Sequence, residues 1–188
     1  MFKKEENIKL TKTKFKDLLI IESEPHSDER GLFFRTFCKN EFASFGLNKE
    51  FVQINQSINY TKGTFRGFHY QKPPYTDEKL IRCISGRVLD IVIDIRKKSK
   101  TYMNFFSIEL TSENKKMLYI PDGFAHGFIT LEDNSQLIYQ HTEYYVPNHE
   151  ASINYKDPAI NLKLPIAIKV ISEKDLNVSF IDTDFKGL

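Results

Sequence analysis

The strict alternation of residues 89–96 limits what this chain can fold into more than any other feature of the sequence. One side of the run holds Leu89, Ile91, Ile93 and Ile95, and the other side holds Asp90, Val92, Asp94 and Arg96. A repeat of two residues is the period of a β-strand, in which successive side chains point to opposite faces. The pattern therefore predicts a half-buried strand.

Shorter runs of the same character occur along the chain, separated by turn signals such as SDERG, SGR and PDG. They are DLLIIES, LFFRTF, FVQINQS, FRGFHYQ, LIRCISG, NFFSIEL, MLYIP, GFITL and QLIYQHTEYY. About ten short strands at close spacing are typical of a β-sandwich or barrel. Helical patterns are confined to residues 39–46 and 172–177, so we predict an all-β fold with short peripheral helices.

The 188 residues contain no internal repeat, low-complexity tract or shift in composition. A chain of this length can bury one hydrophobic core without the support of disulfides. We therefore predict a single domain over residues 1–188. Within it we expect an N-terminal arm at 1–13 and a C-terminal extension at 166–188 that carries the second short helix.

Charge and cysteine content exclude several partners and compartments. The net charge of +2 provides no broad field that would hold nucleic acid or an anionic membrane. Cys38 and Cys83 are too few for a disulfide framework, and neither lies in a CxxC motif, which favours a reducing compartment. The polar N-terminus is unlike a signal peptide, and no window approaches about 18 consecutive apolar residues, so we expect a cytoplasmic protein.

Two histidines fall where a metal-binding cupin would have ligands. His69 begins the tripeptide HYQ, and His126 follows a Pro-x-Gly turn in PDGFAH. The second histidine of the metal pattern is replaced by Gln71, and the following carboxylate, Glu78, stands beside Lys79. Because an amide is a poor ligand for zinc, iron or nickel, we predict no metal site, and a metal-dependent oxygenase or isomerase remains the alternative.

Proton transfer is the second chemistry open to His69, because imidazole titrates near neutral pH. Removing a proton beside a ketone also requires a cation near the enolate oxygen, where one preorganised donor contributes about 10²- to 10³-fold in rate. Arg66 and Lys79 are candidates for that role or for holding a phosphate. Arg66 and His69 would face opposite sides of a regular strand, so we predict that Gly67 marks a bulge that turns both toward one pocket.

Ordinary structural roles remain open for each of these side chains when it is considered alone. Arg66 could form a surface ion pair, and His69 and His126 could be hydrogen-bonded inside the fold. Tyr139 could be a phenol donor or a packed strand residue. Asp175 could orient a histidine or cap the helix of residues 172–177, whose SEKD sequence has the form of a capping box.

The ordered set of motifs resembles the dTDP-4-dehydrorhamnose 3,5-epimerase family from about residue 14 to residue 176. The motifs are DERGLFFRTF, FVQINQS, RGFHYQ, EKLIRCISGRVLDIVIDIR, SENKKMLYIPDGFAHGFITL, LIYQHTEYY, KDP and SEKD. The resemblance implies a cupin-type jelly roll that works without a metal or any other cofactor. It also implies an epimerase acting at C3, C5 or both carbons of a nucleotide-linked 4-keto-6-deoxyhexose, with dTDP as the favoured nucleotide.

The same resemblance implies roles for individual residues. His69 would be the general base, Asp175 its partner, Lys79 the stabiliser of the enolate oxygen and Tyr139 the donor that returns a proton from the opposite face. The implied substrate-binding residues are Arg66, His126, Gln53, Asn55, Gln71, Tyr144, Arg30 and Phe33. Arg30 and Phe33 would come from a partner subunit, so a homodimer is implied, with each site completed by the partner's N-terminal segment.

Four positions depart from the family pattern. Arg35 stands where many members carry Glu, His26 replaces a common aromatic residue, and Tyr155 and Leu164 replace usual tryptophans. These departures leave the nucleotide base open. A mono-epimerase and a sugar-nucleotide-binding protein without catalysis remain alternatives.

Overall fold

The computed structural model of the protein describes residues 7–182 and 184–188. The strands are β1 (Ile8–Lys12), β2 (Leu19–Ser23), β3 (His26–Asp28), β4 (Gly31–Phe33), β5 (Gln53–Asn59), β6 (Phe65–Gln71), β7 (Lys79–Ser85), β8 (Arg87–Asp94), β9 (Phe105–Thr111), β10 (Lys116–Ile120), β11 (Phe124–Thr130), β12 (Ser135–His141) and β13 (Glu150–Ser152). The helices are α1 (Lys39–Ser44) and α2 (Glu173–Leu176), with a 3-10 turn at Pro147–His149.

Two antiparallel sheets pack face to face. The larger sheet has the order β1-β2-β10-β7-β12-β5, and the smaller has the order β13-β6-β11-β8-β9. Consecutive strands repeatedly change sheets, which is the connectivity of a jelly roll. The predicted all-β class and its short helices are therefore confirmed, while β3 and β4 form a separate hairpin outside both sheets.

The main core lies between the two sheets. Ile81, Leu118 and Leu137 of the larger sheet pack with Val92 and Phe128 of the smaller one. A second apolar cluster lies on the outer face of the larger sheet, under α1. This arrangement buries both sheets on their facing sides and leaves one end of the sandwich for polar side chains.

The prediction that residues 89–96 form a half-buried strand was wrong about burial. Strand β8 is covered on both faces, and Asp90 and Asp94 are both 0% exposed. Its outer face, with Ile91 and Ile93, packs in a cluster with the C-terminal segment, and its polar face points into the sandwich. Charged side chains can lie there because Asp90 pairs with His126 and Asp94 with Arg96.

The N-terminal segment and several strands differ in detail from the sequence predictions. The expected N-terminal arm includes β1, which pairs with β2 along its whole length, while residues 1–6 lie outside the described residues. The LFFRTF run is a strand only as far as Phe33, and β3 and β13 were not predicted. No helix among the described residues is long and apolar enough to cross a membrane.

Candidate active site

A cavity of about 320 Å³ opens at the polar end of the sandwich. Its walls come from β5, β7 and β12 of the larger sheet, from β6 and β11 of the smaller sheet, and from the segment that ends in β13. Three histidines line it, and each is hydrogen-bonded to an aspartate. The cavity therefore combines proton-carrying groups from two facing sheets.

His69 lies on β6 and is paired with Asp175 of α2. The distance from His69 Nε2 to Asp175 Oδ1 is 2.7 Å. A carboxylate can only accept, so in the neutral imidazole Nε2 carries the hydrogen and Nδ1 is the nitrogen that can take a proton. The pair that the resemblance implied is therefore assembled in the fold.

A bulge in β6 brings Arg66 and His69 to the same wall. His69 pairs with His126 and Arg66 with Phe128, so three steps along β6 match two steps along β11. Gly67 makes this possible, because its φ is +137° and an added Cβ would lie 2.6 Å from the Cα of Gly127. The predicted bulge at Gly67 is confirmed.

The start of α2 holds Asp175 in place. Ser172 caps the helix by accepting a hydrogen bond from the Asp175 N–H at 3.1 Å, as the SEKD motif predicted. The carboxylate also accepts from the Gly67 N–H at 3.2 Å. Burial opposes ionisation, but the hydrogen bond and charge of His69, together with these backbone and side-chain donors, hold the pKa of Asp175 below its ordinary value. Asp175 is therefore a carboxylate at neutral pH.

Tyr139 reaches the cavity from β12, in the sheet that faces His69. Its hydroxyl lies 2.9 Å from Ser57 Oγ on the neighbouring strand β5. Burial raises the pKa of Tyr139, and the hydrogen bond from Ser57 acts in the opposite direction. The side chain is therefore a phenol at neutral pH and can donate a proton.

Lys79 lies on β7 opposite His141 of β12, in the same wall of the cavity, and its side chain is 11% exposed. Its Nζ is 3.6 Å from Asp77 Oδ2. Asp77 also accepts from His141 Nδ1 at 2.7 Å and from the Thr142 N–H at 3.1 Å. The buried ammonium is thus compensated by a carboxylate that is itself held by two donors.

His126 lies on β11 and is 6% exposed. Its Nε2 is 2.9 Å from Asp90 Oδ2. The other oxygen of Asp90 is buried without a hydrogen-bond partner among the residues described. His126 is therefore in the cavity as predicted, and its partner was not anticipated from the sequence.

Arg66, Gln53 and Asn55 also line the cavity, as the resemblance implied. Arg66 Nε donates to Asn59 Oδ1 at 2.8 Å. Among the described residues, 7–182 and 184–188, the guanidinium of Arg66 has no ion-pair partner. Asn55 Nδ2 lies 3.4 Å from His141 Nε2. The terminal nitrogens of Arg66 are therefore available to an anionic ligand.

Three of the predicted substrate-binding residues do not line the cavity of this chain. Arg30 pairs with Asp28 in the β3–β4 hairpin, and Phe33 in the same hairpin is 78% exposed. Tyr144 is 61% exposed, and its neighbour Tyr145 lines the cavity instead. Their contact with substrate stays a prediction, and for the hairpin residues it requires a second subunit.

Gln71 lines the cavity, but its amide is occupied by the backbone. Nε2 donates to the carbonyls of Tyr75 and Tyr144, and Oε1 accepts from the Val146 N–H at 2.7 Å. These bonds anchor the loop after β12 to β6. The geometry favours a structural role, and a substrate contact of Gln71 stays a prediction.

The side chain considered as a third metal ligand points away from the cavity. Glu78 pairs with Lys49 at 2.8 Å and contacts the Tyr119 hydroxyl on the other side of the larger sheet. In the part of the chain that is described, no group of three or more His, Cys, Asp or Glu side chains is arranged to hold a metal. Two histidines and the amide of Gln71, which is already hydrogen-bonded to the backbone, are a poor ligand set for a transition metal.

The departures from the family pattern have local partners. Arg35 contacts Glu41 of α1, and its carbonyl accepts from Ser23 Oγ at 2.7 Å. His26 Nε2 lies 3.3 Å from Asn7 Oδ1. Tyr155 and Leu164 pack in the cluster that covers the smaller sheet. None of these four side chains lines the cavity of the isolated chain.

The family model of dTDP-4-dehydrorhamnose 3,5-epimerase matches residues 12–182. The chain belongs to this family. It is therefore an epimerase, an enzyme of the isomerase class, and its jelly roll is of the cupin type. The family expected from the motifs is confirmed.

The sequences and structures of relatives align with this chain over nearly their whole length. The dTDP-4-dehydrorhamnose 3,5-epimerase of Shigella flexneri is 42% identical over 176 residues, which cover 93% of this chain and 97% of that protein. The Bacillus anthracis enzyme, solved with TDP and PPi bound, superposes with a TM-score of 0.90 at 32% identity, covering 93% of this chain and 99% of that one.

The Legionella pneumophila enzyme, solved in complex with dTDP-4-keto-L-rhamnose, superposes with a TM-score of 0.89 at 36% identity. The match covers 96% of this chain and 97% of that one.

Sequence reasoning missed several polar residues in the site of this epimerase. They are Asp77, His141, Asp90, Ser57 and Asn59. The two-residue period contained a signal for some of them, because Ser57 follows Gln53 and Asn55 on one face of β5, and His141 follows Tyr139 on one face of β12. Asp90 was visible as a charge within an apolar strand.

Proposed function

We propose that this epimerase inverts C3 and C5 of dTDP-4-keto-6-deoxyglucose and so forms dTDP-4-keto-L-rhamnose. The observation that carries the proposal is the position of the two proton-transfer groups. His69, which is paired with Asp175 of α2, lies on β6 of the smaller sheet, and Tyr139 lies on β12 of the larger sheet that faces it across the cavity. Inversion at a carbon requires a proton to leave one face and another proton to arrive on the opposite face.

His69 acts as the base. Asp175 keeps the hydrogen on Nε2, so Nδ1 takes the proton from the carbon beside the keto group. The carboxylate then stabilises the imidazolium that forms. General-base catalysis of this kind contributes about 10²- to 10⁴-fold in rate.

Lys79 stabilises the enolate that remains after the proton has left. The negative charge develops on the keto oxygen, and an ammonium already held in a largely buried position does not have to reorganise during the reaction. The carbonyl of the substrate itself makes both neighbouring carbons acidic. The reaction on this account needs no cofactor.

Tyr139 completes each inversion by giving its phenolic proton to the opposite face of the enolate carbon. The cavity is small and lined by both sheets, which suits a sugar ring held between base and acid. The same pair serves C3 and C5 in turn. Each inversion moves one proton onto His69 and one proton off Tyr139.

Arg66 binds the diphosphate, and Gln53 and Asn55 contact the nucleotide side of the substrate. A guanidinium suits phosphate oxygens because its fork of donors can bind two of them. Arg66 has its terminal nitrogens available in the cavity wall. His126 contributes a further polar group on the same side of the cavity as His69.

The enzyme is a homodimer on this proposal, and each chain is a single domain. The hairpin and the edge strand β5 expose Leu32, Phe33, Ile54 and Ile58, which supports contact with a second copy. Arg30 and Phe33 then reach the partner's site. The free thiols of Cys38 and Cys83 agree with a cytoplasmic enzyme, and the balanced charge agrees with one that binds neither nucleic acid nor membrane.

Incubation with dTDP-4-keto-6-deoxyglucose, followed by reduction of the keto group and analysis of the sugar, tests the proposal. We expect a sugar inverted at both C3 and C5. The same incubation with UDP- and GDP-linked sugars measures the preference for the base. Inversion at one carbon alone would replace the proposal with a mono-epimerase, and an unchanged sugar with all three nucleotides would contradict it.

A further inference from the structure

A chain of side-chain hydrogen bonds connects Arg66 to Tyr139. Arg66 Nε donates to Asn59 Oδ1 at 2.8 Å, Asn59 Nδ2 donates to Ser57 Oγ at 3.2 Å, and Ser57 Oγ lies 2.9 Å from the Tyr139 hydroxyl. Asn59 is 2% exposed, so water cannot substitute for these partners. The chain ends on the phenol that supplies the proton in the proposed reaction.

The directions of these bonds follow from Arg66. A guanidinium only donates, so the amide oxygen of Asn59 must face it. The amide nitrogen then faces Ser57 Oγ and the Ser135 carbonyl, to which it also donates at 3.0 Å. Since Ser57 accepts from Asn59, its own hydrogen is available for the oxygen of Tyr139.

This orientation leaves the hydrogen of Tyr139 free for the substrate. The two oxygens are 2.9 Å apart, and with Ser57 as the donor the phenol oxygen accepts, so the O–H of Tyr139 need not be used within the protein. After the proton has been given up, the same bond from Ser57 stabilises the phenolate. That stabilisation matters because removal from solvent and the negative charge of Asp90 both raise the pKa of Tyr139.

If both carbons are inverted in one binding event, Tyr139 has already given up the proton that the second inversion requires. After the first inversion His69 carries the proton taken from the substrate, and Tyr139 is a phenolate. A second inversion requires a neutral His69 and a protonated Tyr139. The balance is restored when His69 releases a proton to water and Tyr139 gains one from water, which leaves the net charge unchanged.

We propose that Ser57, oriented by Asn59 and Arg66, is the residue through which Tyr139 regains its proton between the two inversions. Ser57 gives its hydroxyl hydrogen to the phenolate and takes a proton from water in the cavity. It is half-buried and lines the cavity next to Tyr139, so it has access to both. Ser57 affects the substrate only through Tyr139, so it is a positioning residue and not a catalytic one. The inference rests on the proposed double inversion.

The test compares Ser57→Thr with Ser57→Val, two side chains of one shape of which only threonine has a hydroxyl. Ser57→Ala is the third variant, and Ser135→Ala is the control. Ser135 is buried, and its hydroxyl bonds the carbonyls of Arg87 and Glu132 and not the network, so its loss lowers stability alone. Each protein is given dTDP-4-keto-6-deoxyglucose in D₂O, and the singly and doubly inverted products are quantified by NMR.

We expect Ser57→Val and Ser57→Ala to lower kcat by about 10²-fold, the lower end of the contribution of a proton-transfer group, with little change in KM. Exchange of the first substrate hydrogen should continue, and singly inverted sugar should accumulate. Ser57→Thr should restore both kcat and the ratio of products. A Ser57→Val variant with the unaltered product ratio, or a Ser57→Thr variant as defective as Ser57→Val, would overturn the role of Ser57.

The unaltered enzyme in the same experiment separates this inference from the proposed function. If it inverts both carbons while the Ser57 variants behave like it, only the role of Ser57 fails. If it inverts neither carbon, or only one, the double inversion fails and the role of Ser57 fails with it.

Discussion

His69 Nε2 lies 2.7 Å from Asp175 Oδ1, although the two residues are 106 positions apart in the chain. The contact depends on two local features that were visible in the sequence. The bulge at Gly67 turns His69 into the cavity, and the capped start of α2 presents Asp175 to it. With Nε2 bonded to the carboxylate, Nδ1 is the nitrogen of a neutral His69 that can accept a proton.

Asp175→Asn should lower kcat by about 10²- to 10⁴-fold, the span that general-base catalysis contributes. Both oxygens of Asp175 accept hydrogen bonds, one from His69 and one from the Gly67 N–H. An asparagine with its oxygen toward Gly67 presents an NH₂ to Nε2, which forces the hydrogen of His69 onto Nδ1 and blocks the base. Steady-state kinetics with calorimetric unfolding measures the effect.

The control for that change is Asp157→Asn. Asp157 is also buried and accepts backbone N–H bonds from Ala159 and Ile181, but it does not line the cavity. Its replacement should lower the unfolding temperature and leave kcat unchanged. Equal losses of kcat in both variants would mean that Asp175 acts only through stability.

Tyr139→Phe should separate proton removal from proton return. The ring and its packing are kept, but the proton donor to the second face is lost. We expect inversion to fall by about 10²- to 10⁴-fold, while deuterium from D₂O still enters the carbon from the side of His69. Parallel losses of exchange and inversion would contradict the assignment of Tyr139 as the acid.

Asp77→Asn should lower kcat because Lys79 loses the carboxylate that holds its ammonium in place. The carboxylate lies 3.6 Å from Lys79 Nζ, and its loss removes the anion that holds the ammonium toward the cavity. We expect kcat to fall by about 10- to 100-fold, because small displacements of a group near the reacting atoms are costly. Glu78→Gln is the control, since this neighbouring carboxylate pairs with Lys49 outside the cavity. A kcat for Asp77→Asn within the range of the control would refute the role.

Asp94 should make the fold sensitive to acid. Burial opposes its ionisation, but hydrogen bonds from Arg96, Ser99 and Thr101 outweigh burial and hold the pKa of Asp94 below its ordinary value. A depressed folded-state pKa adds stability that is complete above the unfolded value of about 3.9 and is lost as the pH falls through the folded value.

Asp94→Asn removes that contribution. We expect a lower unfolding temperature at neutral pH, because the donors lose an ionised acceptor worth about 1–3 kcal/mol in free energy of unfolding. The further drop as the pH falls below about 4 should be smaller in the variant than in the unaltered chain. Two parallel curves of unfolding temperature against pH would contradict this prediction.

Local patterns in the sequence were enough to predict most of the strands and the bulge. Strand-like runs identified β6, β8 and β12, and Gly67 between Arg66 and His69 predicted the bulge that brings these two residues to a common wall. The cap of α2 followed from Ser172 and Asp175 three residues later. These features depend on neighbours in the chain, which a sequence displays directly.

Contacts between distant residues could not be predicted in the same way. Asp77 meets His141 only because β7 and β12 are paired in the register that places His141 opposite Lys79. The polar face of β8 was assigned to solvent, since the sequence does not display that His126 would pair with Asp90 inside the sandwich. The period of a strand tells which residues share a face, and long-range packing decides what covers it.

NMR of dTDP-4-keto-6-deoxyglucose incubated with the protein in D₂O tests the central claim most directly. We predict deuterium at both C3 and C5 of a sugar inverted at both carbons, and no deuterium at either carbon with His69→Ala. Deuterium at neither carbon with the unaltered protein, or undiminished exchange with His69→Ala, would contradict the account.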